Sequence, residues 1–310
     1  MTTPTPPALL IAGHGTRDET GAEAFRAFVR ELGRRHPDLP VAGGFIELSP
    51  PPLGEAVAEL VERGVRRFAA VPLMLVSAGH AKGDIPAALA REKQRHPGIS
   101  YTYGRPLGPH PALLSVLERR LEEAMGPSWE RSEVTVLLVG RGSTDPDANA
   151  EVFKAARLLW EGRGYAGVET AFVSLAEPDV PSGLERCARL GARRIVVLPY
   201  FLFTGVLPDR VRRQAAQWAA ARTGVEVRPA DVIGPEPELL DLVMERYEEA
   251  VKGDLRMNCD ACVYRIALPG FEDKVGLPQQ PHYHPDDDGH HHGHHHHGHH
   301  HGGHAHSHAH

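Results

Sequence analysis

His14 stands in GHGTRD (13–18), directly after an apolar run, and His80 stands in SAGHAKGD (77–84), after another. Glu47 closes a third run in FIELSPPP (45–52). Two imidazoles and one carboxylate suit a borderline divalent ion such as cobalt, iron, nickel or zinc. Free imidazole titrates near pH ~6.5, so the same histidines also accept protons around neutrality. Taken singly, each residue has an ordinary reading: a lone histidine at a strand end is usually a satisfied polar group, and Glu47 can cap the helix that follows. The weight rests on the three together.

The elements that must position them are legible as alternation. Short apolar runs at 8–12, 41–47, 68–75 and 100–103 read as strands, with amphipathic helices near 20–35, 52–63, 83–95 and 110–125. Continuous apolar strands separated by helices imply βαβ units and a parallel sheet covered on both faces. Ligands of open α/β sheets bind beyond the carboxyl ends of the strands, which is where His14, Glu47 and His80 all fall.

The pattern then repeats. LLIAGHG (9–15) returns as VLLVGRG (136–142), and Phe45, Leu48, Gly64, Arg67 and Pro72 match Phe172, Leu175, Gly191, Arg194 and Pro199 at the same offset. PLGPHPALL (106–114) answers VIGPEPELL (232–240), one residue out of step. Strands are expected again at 134–139, 168–174, 195–199 and 225–229. The fold class is α/β, two duplicated flavodoxin-like parallel-sheet domains over residues 1–127 and 132–252, with a C-terminal segment at 253–310. The repeat also supplies a control within one chain. Arg141, Ser174 and Leu207 occupy the places of His14, Glu47 and His80, while the surrounding glycines and prolines largely persist. Residues needed only for the fold should survive in both copies; these three do not.

Bulk properties narrow the class. A chain of 310 residues suits two ordinary domains, and a formal net charge of -6 argues against a nucleic-acid partner. No apolar run approaches the roughly 20 residues needed to cross a bilayer. The first residues lack a basic leader and a long apolar core, so no signal peptide is expected and a cytoplasmic location is.

Beyond residue 252 the alternation stops. Cys259 and Cys262 form a Cys-x-x-Cys pair, whereas Cys187 falls in an expected helix and reads as core. Two thiolates do not complete a tetrahedral metal shell, and a free or redox-active pair is the plainer reading. Of 21 histidines, 16 lie beyond residue 280, interspersed with Gly, Asp, Ala and Ser. Such a tail cannot bury a core and is expected to be disordered without metal. It reads as a metal reservoir.

GHGTRD, FIELSPP, VPLMLVSAGHAKGDIP (71–86) and the duplicated layout over residues 8–250 resemble the sirohydrochlorin chelatases of cobalamin and sirohaem synthesis. The resemblance implies a chelatase-like fold with the tetrapyrrole between two domains and the active site in the N-terminal one. It implies a lyase in which His14 and His80 bind the metal and accept protons, with Glu47 as their acidic partner. Insertion of a divalent ion releases the pyrrole protons, so an incomplete shell with bases beside it fits the task. Sirohydrochlorin is rich in carboxylates, for which Arg17, Lys82, Arg105 and Arg141 are candidates. Long family members carry a His-rich stretch and a Met-x-Cys-x-x-Cys segment, here Met257, Cys259 and Cys262. These are associated with a [4Fe–4S] cluster, which would need a second subunit, as in a homodimer, or other ligands. The long layout favours cobalt over iron as the substrate metal.

Two other readings compete. A histidine phosphatase also opens with a histidine in a Gly-flanked loop, but its Arg-His-Gly signature is absent because Gly13 precedes His14. A non-enzymatic metal storage or delivery protein would use the tail, yet leaves the one-sided loss of His14, Glu47 and His80 unexplained.

Overall fold

The computed structural model describes residues 6–253 and 272–277. Cys259, Cys262 and the His-rich stretch, including its expected disorder, lie outside the described residues.

The strands are β1 (Ala8–Gly13), β2 (Val41–Phe45), β3 (Arg67–Pro72), β4 (Ser100–Tyr103), β5 (Val134–Gly140), β6 (Gly167–Phe172), β7 (Arg194–Pro199) and β8 (Glu226–Pro229). Between them run α1 (Glu19–Arg35), α2 (Leu53–Glu62), α3 (Ile85–Arg95), α4 (Pro111–Met125), α5 (Pro146–Trp160), α6 (Val180–Arg189), α7 (Val206–Ala220) and α8 (Pro237–Lys252). They form two four-stranded sheets ordered β2-β1-β3-β4 and β6-β5-β7-β8. All pairings are parallel. Every residue of β1 and β5 is buried, as parallel strands covered on both faces must be. Local signals start the helices. Asp18 and Asp145 accept from the backbone N–H groups of Thr20 and Asp147, and prolines open α4, α5, α6 and α8.

Three strands end earlier than the apolar runs suggest, among them β6, which stops at Phe172. β2 stops at Phe45, because Leu48 turns left-handed (φ 66°) and Ser49 N bonds back to the Glu47 carbonyl. β3 stops at Pro72, where Met74 N turns back to the Pro72 carbonyl.

The copies are contiguous in sequence but exchange their last helices in space. α4 lies on β7 and β8 of the second sheet, and α8 lies on β3 and β4 of the first. A single core joins Leu9, Ile11 and Phe28 to Leu117, Leu138, Val196 and Val243. Matched arginines secure the exchange. Arg120 donates to the carbonyls of Val232 and Ile233, and Arg246 donates to those of Pro106 and Leu107. These partners are equivalent in the repeat, so the clamp is reciprocal.

Candidate metal centre

In each sheet the strand order reverses between the first and third strands. The cleft therefore opens at the carboxyl ends of β1 and β3. His14 is the first residue after β1, and His80 lies in the loop after β3, so the two histidines flank this switch point. Their ring centroids are 4.3 Å apart with the planes at 80°. Glu47 Oε1 sits 3.6 Å from His14 Nδ1 and 4.0 Å from His80 Nε2. Tetrahedral donors about 2.1 Å from an ion lie roughly 3.4 Å apart, so small side-chain adjustments would close this shell. Among the described residues this is the one group of three or more His, Cys, Asp or Glu donors able to converge on an ion.

Backbone geometry sets the spacing. Ile46 N and Glu47 N donate to the carbonyls of Gly13 and His14, tying the turn after β2 to the loop after β1. Gly15 (φ 101°) makes this contact possible, since a Cβ there would lie 1.8 Å from the Glu47 carbonyl oxygen. The second copy repeats the frame. Val173 N and Ser174 N donate to Gly140 and Arg141, and a Cβ on Gly142 would meet the Ser174 carbonyl oxygen at 1.8 Å. Leu48 and Leu175 share the left-handed conformation (φ 66° and 61°), which costs a non-glycine residue about 1–2 kcal/mol. Because both copies keep it, that strain belongs to the frame and not to the chemistry.

His80 begins a π-helical turn, His80–Asp84. Its Nδ1 donates to Asp84 Oδ2 at 2.6 Å, which leaves the lone pair on Nε2, the atom facing Glu47. A carboxylate that fixes the tautomer and ring plane of a ligating histidine also raises its basicity as a ligand. Sequence reasoning misses Asp84. Its signal is the four-residue spacing from His80, which has meaning only if the segment is helical.

The basic residues divide. The half-buried Arg141 is close enough for Glu47 and His80 to feel its charge. Arg17 is exposed on the loop after β1. Arg105 is engaged by Glu249 on α8 at 2.6 and 2.8 Å. Lys82 points into the second half, donating to Asp145 Oδ2 at 2.7 Å and Asp147 Oδ2 at 2.9 Å, with its side chain only 6% exposed. Burial pushes the Lys82 ammonium down, but the bonds and charges of the two aspartates outweigh it and hold it above the usual lysine value. A buried cation engaged in this way is not presented to a ligand in the cleft.

Burial holds the His80 imidazole below the ordinary histidine range, with the Arg141 charge adding to it and Asp84 and Glu47 opposing. The unfolded chain therefore binds a proton at His80 before the folded one does. The contribution to stability is complete above the unfolded value of ~6.5 and is lost as pH falls through the depressed folded value. The acid limb of kcat/KM is accordingly expected below pH ~6.5, and Arg141→Ala should move it upward. A limb at or above that value in the pH profile would contradict this electrostatic ordering.

A duplicated parallel α/β frame keeps one two-histidine, one-carboxylate donor set beside an open switch point, a set suited to a divalent ion. The chain belongs to the CbiX family, whose model matches it twice, at residues 8–124 and 135–250. It is similar to a sirohydrochlorin cobaltochelatase of Priestia megaterium, at 38% identity over 84% of this chain and 85% of that one. A sirohydrochlorin ferrochelatase of the same organism is 35% identical over 68% of this chain and 78% of its own length. Among solved structures, SirB from Bacillus subtilis with Fe3+ has a TM-score of 0.69 at 28% identity, covering 80% of this chain and 97% of that chain. Among the described residues no helix is long and apolar enough to cross a membrane.

Proposed function

We propose that this protein is a sirohydrochlorin chelatase and that cobalt is its preferred metal. The observation that carries the reading is the one-sided site: His14, Glu47 and His80 converge within 4.8 Å in one copy, and the other copy keeps the same backbone frame without them. The metal is a substrate here. Three protein donors leave coordination positions open, so ring nitrogens can replace protein ligands one at a time. As the ion passes to the macrocycle, the vacated imidazoles and Glu47 become bases for the displaced pyrrole protons, which balances the charge of the incoming cation. With its proton affinity lowered by burial, His80 readily passes such a proton on to water.

Arg141 and Arg17 are assigned to the substrate's carboxylates, and the exposed Leu48 beside Glu47 offers apolar contact to the ring face. Arg141→Ala should raise the KM for sirohydrochlorin by about 10-fold, the loss of a charge-assisted hydrogen bond, with a smaller change in kcat. An unchanged KM would remove Arg141 from the substrate wall. The choice of cobalt in this reading is supported by the cobaltochelatase relative, which matches a larger share of the chain than the ferrochelatase of the same organism. The direct test mixes anaerobic protein with sirohydrochlorin and Co2+, Fe2+ or Ni2+ and follows the absorbance change. Metallation fastest with cobalt is expected. No acceleration over the uncatalysed rate with either cobalt or iron would sink the chelatase reading.

A further inference from the structure

We propose that the second copy acts on the reaction as a positioning element for His80, through a buried ionic latch that joins Lys82 to Asp145 and Asp147. The proposal deepens the chelatase reading and rests on it for the meaning of kcat. Lys82 lies two residues after His80 in the same π-helical turn, and the two aspartates stand at the start of α5 in the second copy. All three side chains are nearly excluded from water, at 6%, 3% and 4% exposure. The loop is tied on the other side of His80 as well, where Ser77 N donates to Glu151 Oε2 on α5 at 2.9 Å. From its own sheet, the Tyr103 hydroxyl donates to the Ala81 carbonyl at 2.6 Å. The ligand-bearing turn is thus bracketed by anchors three residues before His80 and two residues after it, both supplied by the other copy.

The repeat distinguishes this latch from general closure of the two halves. The equivalent loop around Thr204 does lie against the start of α1, where a Cβ on Gly21 would meet the Thr204 carbonyl oxygen at 2.6 Å. Yet the place of Lys82 is taken by Asp209, and those of Asp145, Asp147 and Glu151 by Asp18, Thr20 and Ala24. Asp209 turns to Arg212 on its own helix, and Asp18 caps α1. Asp209 therefore supplies no counterpart to the buried ammonium of Lys82, and the reciprocal clamps of Arg120 and Arg246 serve both halves equally. Buried ion pairs are weak contributors to stability compared with apolar packing, and their best-attested use is to fix one geometry. A π-helical turn has poor intrinsic persistence and often marks a functional site. One that carries a metal ligand needs such fixing, since small misplacements of reacting groups cost large factors in rate. Among the described residues, the pairing of a buried lysine with two aspartates stands on the side that carries His80.

The test compares full-length wild type with Lys82→Met and with the neutral triple variant K82M/D145N/D147N. The triple variant leaves no uncompensated buried carboxylate if the single one fails to fold. Co2+ binding is read from visible absorption as a difference against full-length His80→Ala, so that the tail contributes equally to both sides. The latch predicts Co2+ affinity at the triad weakened by at least about 10-fold and an altered cobalt spectrum, as supporting interactions of metal ligands typically show. kcat should fall by about 10–100-fold with the KM for sirohydrochlorin within about 3-fold, and Lys82→Arg should recover part of both. Folded variants with wild-type Co2+ affinity and kcat would overturn the proposal, as would a raised KM with kcat unchanged, which would make Lys82 a substrate contact. If the wild type itself failed to metallate sirohydrochlorin, the chelatase reading would fall, and the Co2+ difference spectra would still decide the latch.

Discussion

Replacing His80 by alanine should lower kcat by about 10³-fold while leaving the KM for sirohydrochlorin within a few-fold. His80 is the most buried of the three donors, with 10% of its side chain exposed against 26% for His14 and 36% for Glu47. Its loss reduces the donor set to two groups that both stand nearer to water and, on the proposed mechanism, removes one of the bases for the pyrrole protons. His80 is not among the groups proposed to hold the macrocycle's carboxylates, so substrate binding should survive. Steady-state kinetics with cobalt at saturation checks this, and a variant retaining more than a tenth of wild-type kcat would remove His80 from the chemistry. His14→Ala should fall in the same direction.

Asp84→Ala is expected to cost about 10–100-fold in kcat or in metal affinity, the usual range for a carboxylate that orients a ligating histidine. The 2.6 Å bond from His80 Nδ1 fixes both the tautomer and the ring plane, so that within the turn anchored by Lys82 the Nε2 atom is aimed toward Glu47. The pH dependence gives this variant a signature that general destabilisation would lack. Asp84 raises the proton affinity of His80, so its removal should move the acid limb to still lower pH. Arg141→Ala should move the limb the opposite way. Shifts of the same sign in both variants would exclude the proposed arrangement of charges around His80.

Much of the site is legible in the amino-acid sequence. The alternation of apolar runs and amphipathic stretches places His14, Glu47 and His80 at strand ends, and the parallel sheets bear this out. Asp84 is visible there as a residue but not as a partner. With 77–84 read as a strand-end loop, a four-residue spacing carries no information; the π-helical turn gives it meaning by bringing Asp84 under the imidazole. Lys82 shows the converse. Its position past a strand end suggests a substrate contact, but the same turn aims it across the molecule at Asp145 and Asp147, more than 60 residues away in sequence.

By itself, the sequence determined which elements form and which copy carries the donors, because both follow from local periodicity and from residue types at matched positions. Only the tertiary structure decided that α4 and α8 trade sheets, that matched arginines lock the exchange, and that one unmatched lysine latches the His80 turn to the second copy. Those facts depend on which surfaces meet when the chain closes. A parallel sheet leaves its faces equally apolar toward any amphipathic helix, so hydrophobic pattern alone does not say which helix covers which sheet. Packing and the pairing of buried charge select among the arrangements, and they act between residues that the sequence keeps far apart.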